Sequence, residues 1–305
     1  MVMRIPLFVA SRFRPAFVFP MLRAIQNIPI LHHIVSLYDP GIISRHISYQ
    51  FEPKHMNFRG GNCRLTIDLN DHIGYRTYIR NQPFEHSVYN FGKQLKLGPN
   101  DVILDIGANI GTASIPICAE NGCELIAIEA SKPNAALLLQ NAALNQVRIR
   151  PHILALTAPE DAGQFIPLYL RDGNRGANSL LKDWAPSAAG QHSEIVFTQT
   201  LDDLLSDEAT IGRIKIVKID VEGAEWAVLR GARNFLAHNR APILMEYRFD
   251  AMDERLSKDF GHLLEFMVES YDVCGLDGHG QRVEFDPHGS YENIIFTRRP
   301  PRSKC

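Results

Sequence analysis

The chain lacks a strong excess of either charge, and this absence limits its partners. Its 305 residues include 32 Lys and Arg against 34 Asp and Glu. So balanced a composition creates no overall field of the kind that gathers phosphate backbones. We therefore do not expect nucleic acid as a partner.

Long apolar runs are also lacking. The N-terminal stretch is apolar and basic, but arginines and prolines interrupt it before any run reaches the roughly 18 to 20 residues that a membrane span needs. We expect no transmembrane segment. The spacing of Leu22, Ile25, Ile28 and Leu31 predicts a short amphipathic helix. Residues 1–60 are therefore interpreted as a partly helical N-terminal extension, residues 61–300 as the main domain and residues 301–305 as a tail.

Paired cysteines are missing as well. The five cysteines are scattered, with no C-x-x-C pair and no histidines at ligand spacing: Cys63, Cys118, Cys123, Cys274 and Cys305. Zinc sites and disulfide frameworks have closer or more regular spacing. The pattern predicts reduced thiols in a cytoplasmic protein, and we expect no metal site.

What the sequence has instead is a succession of short apolar runs that alternate with helical patterns. This alternation is typical of βαβ units and predicts a doubly wound α/β domain with a mostly parallel sheet. Strands are predicted at residues 63–69, 75–79, 101–106, 124–129, 149–154, 195–198, 214–220, 242–246, 271–275 and 293–297. Helices are predicted at residues 85–95, from the end of a glycine-bearing turn to 121, at 131–145, 200–205, 222–236 and 255–269, and a long polar loop at 158–193.

The glycine-bearing turn, residues 105–111, lies between the first buried strand and its helix, where ligands bind in an open α/β sheet. Gly107 and Gly111 let the backbone approach a bound molecule closely, and Ala108 and Asn109 lie between them. The helix that follows presents unpaired backbone N–H groups. The turn is therefore a candidate cofactor-binding loop.

Two acids strengthen this interpretation. Asp105 ends the first apolar strand, where a carboxylate is costly unless it binds something. Glu129 ends the next strand, roughly 20 residues after the glycines, which is the spacing at which an acid meets a ribose diol. A carboxylate can accept hydrogen bonds from both ribose hydroxyls. The pattern predicts a cofactor that carries a nucleoside.

The candidates are a nicotinamide or flavin dinucleotide and S-adenosylmethionine. Dinucleotide binding requires G-x-G-x-x-G, whose second glycine makes room for the pyrophosphate, and Asn109 occupies that position. Asp105 would repel phosphates but suits the ammonium group of a methionyl moiety. S-adenosylmethionine is favoured, with an NAD(P)-dependent oxidoreductase as the alternative.

At this point a family resemblance emerges. Residues 105–114 read DIGANIGTAS, residues 218–224 read KIDVEGA, residues 229–232 read LRGA, and a later strand ends in Glu246. Together these motifs resemble the FkbM family of methyltransferases. The resemblance implies a Rossmann-like class I methyltransferase sheet of seven strands whose last strand is antiparallel. It also implies S-adenosylmethionine as methyl donor and O-methylation of a hydroxyl on a sugar, a polysaccharide precursor or a secondary metabolite.

Three acids are candidates for the chemistry of transfer, since a hydroxyl must lose its proton to a group within hydrogen-bond reach. Asp220 follows the fourth core strand and is the first choice for base or acceptor contact, although it could instead cap the next helix. Glu222 lies in the first turn after it, and Glu246 ends the fifth core strand. Asn178 and Ser179 resemble a family position and are predicted to line the pocket of a small-molecule or glycan acceptor. A module that binds S-adenosylmethionine without catalysis stays open as an alternative.

Overall fold

The structure, a computed structural model, describes residues 54–57, 63–182, 192–247, 254–289 and 291–300. The predicted tail at 301–305 and the predicted N-terminal extension lie outside the described residues, except for one short strand at 54–57. Among the described residues, no helix is both long and apolar enough to cross a membrane.

The elements follow in chain order. The strands are β1 (Lys54–Asn57), β2 (Arg64–Ile67), β3 (Val102–Ile106), β4 (Glu124–Ile128), β5 (Arg148–His152), β6 (Ala155–Leu156), β7 (Phe165–Leu170), β8 (His192–Gln199), β9 (Ile214–Ile219), β10 (Ile243–Glu246), β11 (Tyr271–Leu276), β12 (Arg282–Val283) and β13 (Asn293–Arg298). The helices are α1 (His72–Arg80), α2 (His86–Gln94), α3 (Ser114–Asn121), α4 (Lys132–Leu144), α5 (Leu201–Leu204), α6 (Glu208–Arg213), α7 (Glu225–Arg230), α8 (Arg233–His238) and α9 (Glu254–Val268).

One large sheet organises the described part of the chain. Its strand order is β12-β11-β13-β10-β9-β3-β4-β5, with β10, β9, β3, β4 and β5 parallel and β13 antiparallel to both of its neighbours. This confirms the predicted doubly wound α/β fold with an antiparallel last strand. The sheet has one strand more than the predicted seven, because the two-residue β12 extends its edge.

The central strands are buried on both faces, which explains their nearly continuous apolar sequences. All five residues of β3 are buried. Two consecutive residues of β3, Ile103 and Leu104, point into different apolar cores, one on each face of the sheet. Leu138 of α4 packs in the first core and Phe235 of α8 in the second. The helices on both faces thus fix where the ends of the parallel strands meet.

The predicted strand at residues 75–79 is wrong, because these residues lie in α1. Aromatic and β-branched residues favour strands, but the aspartate before this segment caps a helix: the Asp71 side chain accepts a hydrogen bond from the backbone N–H of Ile73. The buried side chains are three and four residues apart: Tyr75, Tyr78 and Ile79. That spacing lays one face of the helix on the core.

Two further predictions need correction. The single helix predicted at 222–236 is two short helices, α7 and α8. They are separated at Gly231, where an added Cβ would lie 2.2 Å from the carbonyl oxygen of Thr157. The Asp202 carboxylate accepts hydrogen bonds from the N–H groups of Asn234 and Phe235 and so starts α8. The loop predicted at 158–193 contains β7, which pairs antiparallel with β8.

Candidate active site

The candidate cofactor loop is wedged between the ends of β4 and β9. The backbone N–H groups of Gly107 and Ala108 donate to the carbonyl of Ile128, with N···O distances of 2.8 and 3.0 Å. Gly107 has a φ of +79°, and an added Cβ would lie 1.7 Å from the carbonyl oxygen of Asp220. Only glycine fits there, because any side chain would collide with backbone. The motif glycine thus brings the loop into contact with the segment that carries a candidate catalytic acid.

Two further residues of the loop have left-handed backbone. Asn109 has a φ of +51° and Gly111 a φ of +81°. The side-chain oxygen of Asn109 accepts a hydrogen bond from the N–H of Ile110 at 2.8 Å, which stabilises this conformation. Asparagine therefore suits the position where a dinucleotide-binding loop has its second glycine.

Glu129 joins this loop to the following helix. One carboxylate oxygen accepts from the N–H of Asn109 and the other from the N–H of Ser131, both at 2.8 Å. Burial raises the pKa of Glu129 to about 7, although these backbone hydrogen bonds oppose the rise. Each carboxylate oxygen can accept more than one hydrogen bond. Glu129 is therefore held in place and retains acceptor capacity for a ligand.

Lys218 lies at the centre of the site and was not predicted. The residue is 2% exposed. Its Nζ lies 3.0 Å from Glu85 Oε2, 3.3 Å from Asp220 Oδ2 and 3.6 Å from Asp105 Oδ1. Burial disfavours the ammonium, but the three carboxylates outweigh it and hold the pKa of Lys218 well above its ordinary value. The strand IKIVKI has an exposed lysine, Lys215, near its start, whereas Lys218 lies between apolar residues near its end, and this second lysine was the signal that could have predicted the buried ion cluster.

The three predicted catalytic acids come together. One carboxylate oxygen from each of Asp220, Glu222 and Glu246 lies within 4.8 Å of the other two. Burial and the neighbouring carboxylates, Asp220 foremost, raise the pKa of Glu246 well above its ordinary value. A hard cation could also bridge oxygens at this spacing, so the absence of a metal requirement stays a prediction.

The alternative role of Asp220 as a helix cap is not what the structure shows. The N–H groups of Val221 and Gly223 are taken by the carboxylate of Glu225, at 3.1 and 3.3 Å. The Oδ1 atom of Asp220 is buried and has no hydrogen-bond partner among the described residues. Glu225 thus supports the turn, and Asp220 keeps one oxygen available for a ligand.

A cavity opens in front of these acids. It is lined by residues of the cofactor loop, of the segment around α2 and of the segment before β13: Ile73, Phe84, Glu85, Gly107, Asn109, Thr112, Gly176, Lys218, Asp220, Glu222, Glu246, Glu292 and Asn293. Glu292 accepts a hydrogen bond from the hydroxyl of Ser87 at 2.7 Å. Glu85, Lys218 and Glu292 are the lining charges that sequence reasoning missed. We name this space the acidic cavity.

A second cavity adjoins it and is mainly apolar. Its lining comes from the ends of β3 and β4, the chain after β5, and β7 with the chain that follows: Ile106, Gly107, Ile128, Ala130, Leu154, Ala155, Leu156, Leu168, Gly176, Asn178, Leu180, Asp220, Val221, Glu222 and Ala224. We name it the apolar cavity. Gly107, Gly176, Asp220 and Glu222 line both cavities, so the two spaces adjoin, and together we name them the cleft.

The two predicted acceptor residues lie at different places. Asn178 lines the apolar cavity rather than the acidic one. Ser179 is buried, and its hydroxyl donates to the carbonyl of Glu222 at 2.7 Å. Glu222 has a φ of +54°. Ser179 therefore supports the strained backbone of a candidate catalytic residue.

Fold and site together define a class I methyltransferase. The order β5-β4-β3-β9-β10-β13-β11 gives the predicted arrangement, with the candidate loop at the end of its first core strand. The profile of the methyltransferase FkbM domain matches residues 105–276, more than half of the chain, and the chain belongs to this family. Family membership confirms the predicted methyltransferase class, with S-adenosylmethionine as its cofactor.

Several solved structures are similar to this chain. Methyltransferase FkbM from Methylobacillus flagellatus KT is 16% identical, with a TM-score of 0.41 over 73% of this chain and 52% of that chain. This chain therefore spans about half the length of that protein. An O-methyltransferase from Bacillus cereus in complex with SAH is 13% identical, with a TM-score of 0.40 over 72% and 82% of the two chains. Fibrillarin from Aeropyrum pernix with natively bound S-adenosyl-L-methionine is 15% identical, with a TM-score of 0.35 over 67% and 68%. No curated protein matches the chain.

Proposed function

We propose that this chain transfers a methyl group from S-adenosylmethionine to a hydroxyl of a sugar, a polysaccharide precursor or a secondary metabolite. The observation that carries the proposal is the pair of adjoining cavities at the end of the sheet. One is mainly apolar and is lined by Ile128, the last residue of β4 before Glu129, and the other is lined by three convergent carboxylates. The glycine-bearing loop separates them and touches both.

The residues present fit the cofactor. Glu129, at the end of β4, would accept hydrogen bonds from the ribose diol, and the apolar cavity beside it would take the adenine. Gly107, Ala108, Asn109 and Gly111 would lie against the cofactor with backbone alone. Asp105 would attract the methionyl ammonium, because its buried Oδ1 has no hydrogen-bond donor among the described residues and has only the Coulomb attraction of Lys218 at 3.6 Å. When bound, S-adenosylmethionine supplies a methyl group on a sulfonium, which is a good leaving group.

Asp220 and Glu246 would contact different oxygen atoms of the acceptor. Lys218 occupies Oδ2 of Asp220, while Oδ1 is free to accept the hydrogen bond of the acceptor hydroxyl and then its proton. Glu246, whose pKa is raised well above its ordinary value by burial and by the neighbouring carboxylates, would contact a second acceptor oxygen. Glu222 lies beside both and contributes a further acceptor contact. Alignment of the acceptor oxygen with the methyl carbon supplies much of the rate enhancement when the donor already has a good leaving group.

The charge of the acidic cavity limits the acceptor. Its lining has five acids, Glu85, Asp220, Glu222, Glu246 and Glu292, and one cation, Lys218. A phosphodiester would be repelled there. This supports a neutral hydroxylated small molecule or glycan and opposes nucleic acid. The same charges oppose a pyrophosphate and hence the NAD(P)-dependent alternative. The four cysteines of the described residues are in no disulfide, which supports a cytoplasmic location.

A titration followed by a transfer assay tests this proposal. The purified full chain is titrated calorimetrically with S-adenosylmethionine and with NADH, and we expect binding of the first only. It is then incubated with methyl-labelled S-adenosylmethionine and a panel of sugars, glycan fragments and polyketide alcohols, and label should enter an acceptor hydroxyl. Tight NADH binding without S-adenosylmethionine binding would contradict the proposal. Cofactor binding without transfer to any acceptor would favour the non-catalytic module.

Two variants test the assigned roles. Asp220→Asn and Glu246→Gln should each lower kcat by roughly 100- to 10,000-fold, the usual contribution of a positioned acid or base, with the Kd of the cofactor little changed. Glu269→Gln, an exposed position after α9, is the matched control. Full turnover in both site variants would show that these roles are wrong even if the enzyme class is right.

A further inference from the structure

Lys218 connects three separate segments of the chain through one buried ammonium group. Its Nζ lies 3.0 Å from Glu85 Oε2, which precedes α2, and 3.3 Å from Asp220 Oδ2, which follows β9. It also lies 3.4 Å from the carbonyl oxygen of Gly107 in the cofactor loop. These segments belong to the acceptor side and the cofactor side of the cleft.

The donor count of the ammonium explains the arrangement. An ammonium has three N–H donors, and four acceptors surround it. The carboxylate of Glu85, the carboxylate of Asp220 and the carbonyl of Gly107 satisfy the three donors at the shorter distances. Asp105, at 3.6 Å, gains the Coulomb attraction without a hydrogen bond. Lys218 thus has no donor left for a ligand.

The ammonium of Lys218 offsets the repulsion among the carboxylates that surround it. Carboxylates face Lys218 and Asp220 from every neighbouring element: Glu85 before α2, Asp105 in β3, Glu222 and Glu225 after β9, and Glu246 in β10. Removing the ammonium would leave Asp220 among like charges with nothing to hold Oδ2. Its carboxylate would then turn away from the glycine loop.

We propose that Lys218, held by Glu85, is a positioning residue that fixes the Asp220 carboxylate against the cofactor loop at the wall of the acidic cavity. This inference rests on the proposed function, because it assigns the geometry of the same site. It adds that Lys218 acts through Asp220 and touches neither the donor nor the acceptor.

Paired variants separate positioning from stability. The Lys218→Met variant loses the ammonium and leaves Glu85, Asp105 and Asp220 without their cation, so it should unfold at a lower temperature. The double variant Lys218→Met with Glu85→Gln removes both charges and should regain much of that loss. Its kcat should nevertheless stay about 10- to 100-fold below wild type, as expected for a displaced catalytic group, with acceptor KM and cofactor Kd changed by less than about threefold. Lys218→Arg, which keeps the charge, should recover part of kcat.

A matched control lies on the same strand. Lys215→Met removes an exposed lysine of β9 that lies 3.9 Å from Asp101, and it should leave kcat unchanged. Recovery of full kcat together with stability in the double variant would overturn the proposal, since Lys218 would then be merely structural.

A crystal structure of the double variant gives a readout that does not depend on turnover. We expect the Asp220 carboxylate to be displaced from the Gly107 carbonyl relative to the wild-type crystal structure. An unmoved Asp220 would refute the positioning role even if the wild-type chain transferred no methyl group. A wild-type chain that binds no S-adenosylmethionine would instead refute the proposed function and leave the crystallographic comparison to decide on Lys218.

Discussion

Changing Glu129 to Gln should weaken cofactor binding and remove most of its pH dependence. Both carboxylate oxygens of Glu129 already accept backbone hydrogen bonds, from Asn109 and Ser131. An amide offers a single acceptor oxygen, so Glu129→Gln cannot serve these two N–H groups and a ribose diol together. The loss of charge-assisted hydrogen bonds should cost roughly 2 kcal/mol, which is about 30-fold in Kd.

The pH dependence follows from the raised pKa. Burial raises the pKa of Glu129 to about 7, and only the ionised form accepts from both ribose hydroxyls. Its ionised fraction increases from about one tenth at pH 6 to about nine tenths at pH 8. The affinity of the wild type for S-adenosylmethionine should therefore rise about tenfold over this interval.

Isothermal titration calorimetry with S-adenosylhomocysteine at pH 6, 7 and 8 measures both effects, and Glu269→Gln provides an exposed control. The Glu129→Gln variant should show a Kd that is weaker at pH 8 and nearly independent of pH. An unchanged Kd in this variant, or a wild-type affinity that falls as pH rises, would refute the assignment of Glu129 to the ribose.

The remaining predictions concern the loop, the metal and the core. Gly107→Ala should destabilise the fold by at least about 1–3 kcal/mol and abolish cofactor binding, whereas Gly212→Ala, where an added Cβ meets no atom within 4 Å, should have little effect in thermal unfolding and titration. Dialysis against EDTA should leave methyl transfer unchanged, and restoration of lost activity by a divalent cation would show that the carboxylate cluster holds a metal. Phe235→Ala, at a side chain that is 1% exposed, should cost about 3–5 kcal/mol in denaturant unfolding, and a loss below 1 kcal/mol would contradict its core position.

The fold was predictable where burial alone decides the structure. The core strands β3, β4, β9 and β10 are apolar runs buried on both faces, so their sequences reveal them without further context. The prediction of a strand at 75–79 was wrong because the aromatic and β-branched residues there suit a strand, whereas the cap at Asp71 and packing on the core select a helix. The break between the two helices at Gly231 was not predicted, because the carbonyl of Thr157, which leaves no room for a side chain there, is distant in sequence.

The same distinction holds for the residues of the candidate site. The positions of Asp105, Glu129, Asp220 and Glu246 were predictable because each is an acid at the end of an apolar strand, and parallel strand ends meet at one edge of a sheet. Their roles stay predictions. The ion pair of Lys218 with Glu85 was not predictable, because Glu85 lies on the segment before α2 and contacts the lysine only through the tertiary fold. Glu292 enters the acidic cavity from a loop for the same reason.

A crystal structure of the full chain with S-adenosylhomocysteine tests the central claim most directly. We expect the ribose hydroxyls within hydrogen-bond distance of Glu129, the adenine in the apolar cavity and the thioether sulfur facing Asp220 and Glu246. A nucleoside bound elsewhere, or a cleft that stays empty at saturating ligand, would contradict it.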